Sequence, residues 1–267
     1  MVFKLDYLFK DGSYRTTEKE RPLVSKLFPT LYFYIRILSL VYGGHKKAIR
    51  GEYDNTAWVY SSFWALDIIE RSGIKVNIDG IKNLTSFEGP AVFVGNHMST
   101  AETFLLPSII SSIKPMTFVL KESLLKIPFF KDILNAIDPI VVTRDNPRED
   151  FKIVMEKGVE KLAKGISVTI FPQTTRTPVF DEKQFNSMGV KLAKKAGVPL
   201  IPIALKTDAW TNGKIIKDFG KIRPELDMKF LFGKPIKVEG RGDEEHREVI
   251  EFIKTHLKEW GCQVVDR

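Results

Sequence analysis

The pattern of apolar and polar positions changes its period near residue 74. Before that point, apolar residues recur at helical spacing. Residues 31–42, "LYFYIRILSLVY", are the most apolar stretch, although they include Arg36. Gly43-Gly44 is expected to stop this helix, and the basic run "HKKAIR" follows. A second helix is predicted from Asn55, its N-cap, to about Gly73. Within it Val59, Phe63 and Leu66 share a face that Trp58, Trp64 and Ile68 widen. After residue 74 short apolar or alternating runs take over, at 74–78, 91–95, 116–120, 139–143, 167–171 and 199–205. A late pair, 228–233 and 235–240, is predicted to form edge strands. Helical patterns fall at 100–112, 123–135, 148–164, 187–196 and 243–260. The alternation predicts an α/β fold, with a mixed, largely parallel sheet flanked by helices. Two units are expected: an N-terminal helical segment over 1–73 and an α/β domain over 74–267.

A helix that crosses a bilayer needs about 20 mostly apolar residues, so the 12-residue run is too short to span. Two aromatic-rich helices with a basic junction can lie in the membrane interface, apolar side down. They can equally pack as a hairpin on the protein's own core. The charge bears on this choice. With 41 Lys and Arg against 33 Asp and Glu, the formal net charge is +8. That favours an anionic partner. Basic residues are spread along the chain and no aromatic-plus-basic RNA motif occurs, which places nucleic acid behind a membrane surface or a phosphate. Cys262 is the only cysteine, so no internal disulfide can form, as suits a reducing compartment. The N-terminus mixes charges with apolar residues, unlike a secretory signal.

Chemistry in an α/β sheet collects at the carboxyl ends of strands. Three polar clusters are predicted there. The first is "NHMSTAE", with Asn96, His97 and Glu102. Ser99 and Glu102 fit a capping box, in which Glu102 serves only a backbone N–H. That leaves His97 unexplained. A His–carboxylate pair explains it, because a carboxylate fixes the tautomer of an imidazole that acts as general base. The two meet only if His97 sits in the loop before the first turn. The second cluster is "PQTTRT", holding Gln173, Thr174, Thr175, Arg176 and Thr177. A guanidinium among hydroxyls suits a phosphate; an ordinary polar loop is the other reading. The third pairs Lys121 and Arg144, each following a predicted strand, around an amphipathic helix; two solvated surface charges are the other reading.

Taken in order, "NHxxxxE … KxxLxxxP … R … FPxxTR … AGVPLIPIAL" resembles the glycerolipid acyltransferases, the family of 1-acyl-glycerol-3-phosphate acyltransferases. The resemblance covers roughly residues 75–210. Asn96, His97 and Glu102 match its first motif. Lys121, Pro128 and Arg144 match the second, residues 171–177 the third, and the strand after Ala196-Gly197 the fourth; Gly189 matches as well. The departures are Glu102 where Asp is commoner, Gln173 and Thr174 for the usual Glu-Gly, and Lys131 and Asp138 where Gly is common.

The resemblance implies an O-acyltransferase of phospholipid biosynthesis. His97 would take the proton of an acceptor hydroxyl and Glu102 would orient His97. Lys121, Arg144, Gln173, Thr174, Thr175 and Arg176 would bind substrate. The donor would be acyl-CoA or acyl-carrier protein, a co-substrate, with no cofactor and no metal. The expected location is monotopic, on the cytoplasmic face of a membrane. The same chemistry on another lyso-lipid, and a lipid-binding homologue without activity, remain alternatives.

Overall fold

A computed structural model describes residues 12–173, 175–214 and 216–265 of the chain. The first eleven residues and Thr174 therefore lie outside the described residues. The larger of two sheets has eight strands: β1 (Tyr14–Arg15), β2 (Val76–Asp79), β3 (Val92–Gly95), β4 (Met116–Lys121), β5 (Ile140–Val142), β6 (Ser167–Ile170), β8 (Leu200–Lys206) and β9 (Met228–Phe232). β7 (Val179–Phe180) and β10 (Gln263–Val264) form a small parallel pair of their own. The lateral order is β1-β2-β9-β8-β3-β6-β4-β5. From β8 to β5 all neighbours are parallel. β9 runs against β8, β2 follows β9, and β1 runs against β2.

The helices are α1 (Leu23–Leu27), α2 (Pro29–Ile49), α3 (Asn55–Arg71), α4 (Lys82–Thr85), α5 (Ala101–Leu106), α6 (Phe130–Ala136), α7 (Pro147–Ala163), α8 (Met188–Ala196) and α9 (Asp243–Glu259). Strand side chains alternate between faces, and each face of the sheet has its own core. Phe93 and Ile201 meet Phe33 and Ile37 of α2, Phe63 and Ile69 of α3, and Leu105 of α5. Val92 and Val94 meet Val154 of α7, Leu192 of α8, and Val249 and Ile253 of α9. Each such side chain contributes about 1.5–3 kcal/mol by leaving water. The N-terminal helices thus share a core with the sheet. Parallel strands β3, β6, β8, β4 and β5 put their carboxyl ends on one rim, where the polar clusters sit.

Several boundaries differ from the pattern. α2 does not stop at Gly43-Gly44 but continues to Ile49. Gly44 is buried, and a Cβ there would meet Ile133 at 2.9 Å and Tyr53 at 3.2 Å. It is small for close packing, not for chain reversal. α3 is capped by Asp54, whose carboxylate accepts from Ala57 N at 2.8 Å, one residue before the expected Asn55. The helix expected over 123–135 is broken. A 3-10 turn covers Glu122–Lys126, Pro128 interrupts, and Phe129 takes φ 64° before α6 begins. Proline lacks an N–H and forces its predecessor out of the helical region. β9 is not an edge strand but lies between β2 and β8. Its expected partner, 235–240, forms no strand and makes only an isolated antiparallel bridge, from Ile236 to Leu200, on the edge of β8 beyond the end of β9.

Candidate active site

β3 ends at Gly95, and the chain turns out of the sheet. Asn96 anchors this exit: its side-chain amide donates to Leu205 O at 2.7 Å and accepts from Leu205 N at 2.9 Å. It acts as one more rung between β3 and β8. His97 then lies in the loop before α5, as the pairing with Glu102 requires. Its Nδ1 donates to Glu102 Oε2 at 2.7 Å. The imidazole stacks on Phe171, with centroids 4.3 Å apart and planes 7° from parallel. This leaves Nε2 as the ring nitrogen for a substrate.

Glu102 is fully buried. Its second oxygen, Oε1, accepts from the backbone N–H groups of Met98 and Ser99, both at 3.0 Å. It also accepts from the Thr207 hydroxyl, which in turn accepts from Ser99 Oγ at 3.0 Å. Glu102's contact to the Ser99 backbone N–H and its pairing with His97 therefore coexist, one oxygen to each, but the full capping box does not form: Thr100 is the N-cap and Ser99 Oγ accepts from Ala101 N at 3.1 Å. Thr207 was not picked out from sequence. Its position directly after β8, on the same rim, is the signal that would have found it.

Gln173 accepts from His97 N at 2.7 Å and is almost wholly buried. It ties the third cluster to the first and does not line the adjoining cavity. Thr177 N donates to the His97 carbonyl at 2.9 Å, a second tie. Lys121, Arg144, Thr175 and Arg176 do line the cavity, together with His97. Arg144 has φ 68°, with its N–H held by the Asp150 carboxylate at 2.8 Å. Burial pulls its guanidinium below the usual range; Asp150 opposes this and the nearby positive charge of Arg176 adds to it. Two residues of the β8–β9 segment, Lys217 and Asp218, complete this end, and the sequence motifs did not include them. Asp218 Oδ1 receives Arg176 Nη1 at 2.5 Å.

The cavity holds about 410 Å3. Its other end is apolar, formed by Leu40 and Val41 of α2, Trp58 of α3, Phe104 of α5, Phe118 of β4, and Ile133 and Leu134 of α6. Aromatic rings connect the two ends. Phe171, under His97, lies 6.1 Å from Phe118, which meets Trp58 edge-on at 5.8 Å. The arrangement can hold an anionic group and an alkyl chain on either side of a tautomer-fixed imidazole.

Comparison with known proteins agrees with this chemistry. The family model described as Acyltransferase matches residues 75–206. The 1-acyl-sn-glycerol-3-phosphate acyltransferase of Pseudomonas aeruginosa is 37% identical over 208 residues, spanning 78% of this chain and 76% of that protein. The chloroplastic enzyme LPAT1 of Arabidopsis thaliana, also named a 1-acyl-sn-glycerol-3-phosphate acyltransferase, is 33% identical over 131 residues, 49% of this chain and 36% of that protein. The crystal structure of the 1-acyl-sn-glycerophosphate acyltransferase PlsC from Thermotoga maritima superposes with a TM-score of 0.64 at 22% identity, covering 91% of this chain and 99% of that one, a likeness of fold. The chain belongs to the glycerolipid acyltransferase family and is an acyltransferase.

Proposed function

We propose that the protein transfers a fatty acyl group from a thioester donor to the free hydroxyl of a lysophospholipid, 1-acyl-glycerol-3-phosphate, in phospholipid synthesis. The observation that carries this is the His97–Glu102 pair in the wall of a cavity that is cationic at one end and apolar at the other. The names of the relatives supply the acceptor.

His97 Nε2 takes the acceptor's hydroxyl proton while Glu102 keeps Nδ1 protonated and stabilises the imidazolium. The freed oxygen attacks the thioester carbonyl. The carbon–sulfur bond breaks, and the leaving thiolate takes the proton back from the imidazolium. Arg176 holds the acceptor phosphate, with Lys121 or Arg144 near the developing oxyanion. Transfer is direct and needs no acyl-enzyme. Acyl-CoA and acyl-carrier protein both fit as donor. The protein works at a membrane surface, with α1 and α2 dipping into the cytoplasmic leaflet. Among the described residues no helix is long and apolar enough to cross a membrane.

The test is incubation with labelled acyl-CoA, or acyl-carrier protein, and a panel of lyso-acceptors. Labelled diacylglycerol phosphate is the expected product. Free fatty acid alone would identify a hydrolase, and lipid binding without transfer a homologue that has lost activity.

A further inference from the structure

Glu102 carries its carboxylate at the end of a flexible side chain, so contacts must fix where it points. Four donors reach it among the described residues. Three of them, His97 Nδ1 and the N–H groups of Met98 and Ser99, belong to the loop after β3 and move with that loop. The fourth, the Thr207 hydroxyl, stands directly after β8. Hydrogen-bond chemistry sets the direction of the chain of contacts. A carboxylate only accepts, so Thr207 donates to Glu102 Oε1. The Thr207 oxygen accepts from Ser99 Oγ at 3.0 Å, and Ser99 Oγ accepts from Ala101 N at 3.1 Å. Ser99, Glu102 and Thr207 are all buried, so bulk water does not compete for these bonds. Thr207 is itself held, because its carbonyl accepts from Trp210 N at 3.1 Å. Two residues earlier, Leu205 bonds both ends of the Asn96 amide. Positions 205 and 207 thus hold two things from one strand: the loop that carries His97, and the carboxylate that meets it.

We propose that Thr207 is a positioning residue for acyl transfer, its hydroxyl locking Glu102 to the sheet so that Oε2 faces His97 throughout the reaction. This rests on the reading of His97 as the general base. The imidazole gains a proton and gives it back, and the pull on Oε2 rises and falls with that charge. A carboxylate free to turn would follow the change. One fixed from the sheet is already in place when the charge develops. Displacing a reacting group by about 1 Å can cost about a hundredfold in rate. Thr207 does not line the cavity, so its effect passes through Glu102 rather than through the substrates.

The experiment measures kcat and KM of the full-length protein for 1-acyl-glycerol-3-phosphate and for acyl-CoA, or acyl-carrier protein where that is the donor used. The variants are Thr207→Val, Thr207→Ser, Thr207→Cys, Glu102→Ala and the double variant Glu102→Ala/Thr207→Val. Valine keeps the shape and removes the donor. It should lower kcat at least about tenfold, the worth of one hydrogen bond to a charged group, and leave both KM values unchanged. Serine keeps the hydroxyl and should restore most of the rate. Cysteine, a weak donor, should fall between them, and it carries the comparison if valine unfolds the protein. In the Glu102→Ala background, Thr207→Val should change kcat less than about twofold, because residues that act through one another do not add. A purely structural role would lower melting without this dependence on Glu102. Normal kcat in Thr207→Val, or an equal loss with and without Glu102, overturns the proposal. Glu102→Ala separates the two levels. If it leaves kcat untouched, the His97–Glu102 reading falls and the positioning role with it. If it lowers kcat while Thr207→Val does not, only the positioning role falls.

Discussion

Glu102 uses its two carboxylate oxygens differently, and a single substitution can tell the uses apart. Oε1 receives two backbone N–H groups and the Thr207 hydroxyl, whereas Oε2 receives His97 Nδ1. In Glu102→Gln the amide oxygen must take the Oε1 place, because an NH2 there would face three donors. The NH2 then faces Nδ1, which must accept. The ring proton moves to Nε2, and a protonated Nε2 cannot take a hydroxyl proton. We expect kcat to fall by ~10²–10⁴, the usual contribution of a general base, with melting nearly unchanged. Near-normal turnover would leave Glu102 a cap and nothing more. His97→Ala should lose as much activity and keep its fold; acyl transfer at the normal rate would move the chemistry away from this loop. The pairing was legible in sequence because a five-residue spacing at a strand end admits it. Asp218 and Lys217 were not, because contact between distant segments depends on strand order, which no local spacing encodes. Asp138 shows the reverse case. It stands where the family commonly has Gly, and its φ is 47°, a conformation that glycine adopts without strain.

At the scale of elements, α2 shows why a glycine pair can mislead. Local propensity marks both glycines as helix breakers. The helix runs through them because its inner face is fixed by tertiary contacts, with Phe33, Ile37 and Gly44 buried. The two glycines then have opposite roles. Gly43 is exposed and a Cβ there would meet nothing within 4 Å. Gly43→Ala should stabilise by about 0.5–1 kcal/mol, the usual helix-interior difference. Gly44→Leu should destabilise by about 1–3 kcal/mol through overpacking against Ile133 and Tyr53. Both of those residues line the cavity, so this variant should also weaken use of long acyl chains. Melting curves of the pair check the argument: equal shifts would mean that α2 does not pack closely on α6. Pro128 overrides a pattern that looked periodic in sequence, whereas the five parallel strands were visible because burial on both faces leaves short runs of continuous apolar residues.

Across the whole molecule, α2 has three destinations for its side chains. Phe33 and Ile37 enter the core, Leu40 and Val41 line the cavity, and Leu31, Ile35 and Leu38 face outward at 56%, 57% and 50% exposure. α1 continues the outer face with Leu23, Val24 and Leu27. Phe28, between the two helices, and Ile127 and Phe129, before α6, are exposed as well. Ile127 also lines the cavity, so apolar surface passes from outside to inside at that point. A leaflet resting on this face would hand a lipid tail to the cavity without exposing it to water. Removing residues 1–50 would not test this, since it would strip Phe33 and Ile37 from the core. A triple variant, Leu31→Glu, Ile35→Glu and Leu38→Glu, changes only outward positions and should fold normally. It should fail to float with anionic vesicles and should lose activity on acceptor embedded in them, while keeping activity on a short-chain acceptor free in solution. The intact protein should bind anionic vesicles more tightly than neutral ones, because Lys46, Lys47 and Arg50 follow the apolar face and each adds about 1 kcal/mol near such a surface. That difference should vanish at 1 M salt, where the Debye length is about 3 Å. Flotation of the triple variant at the level of the intact protein would show that this face is not the one that meets the membrane.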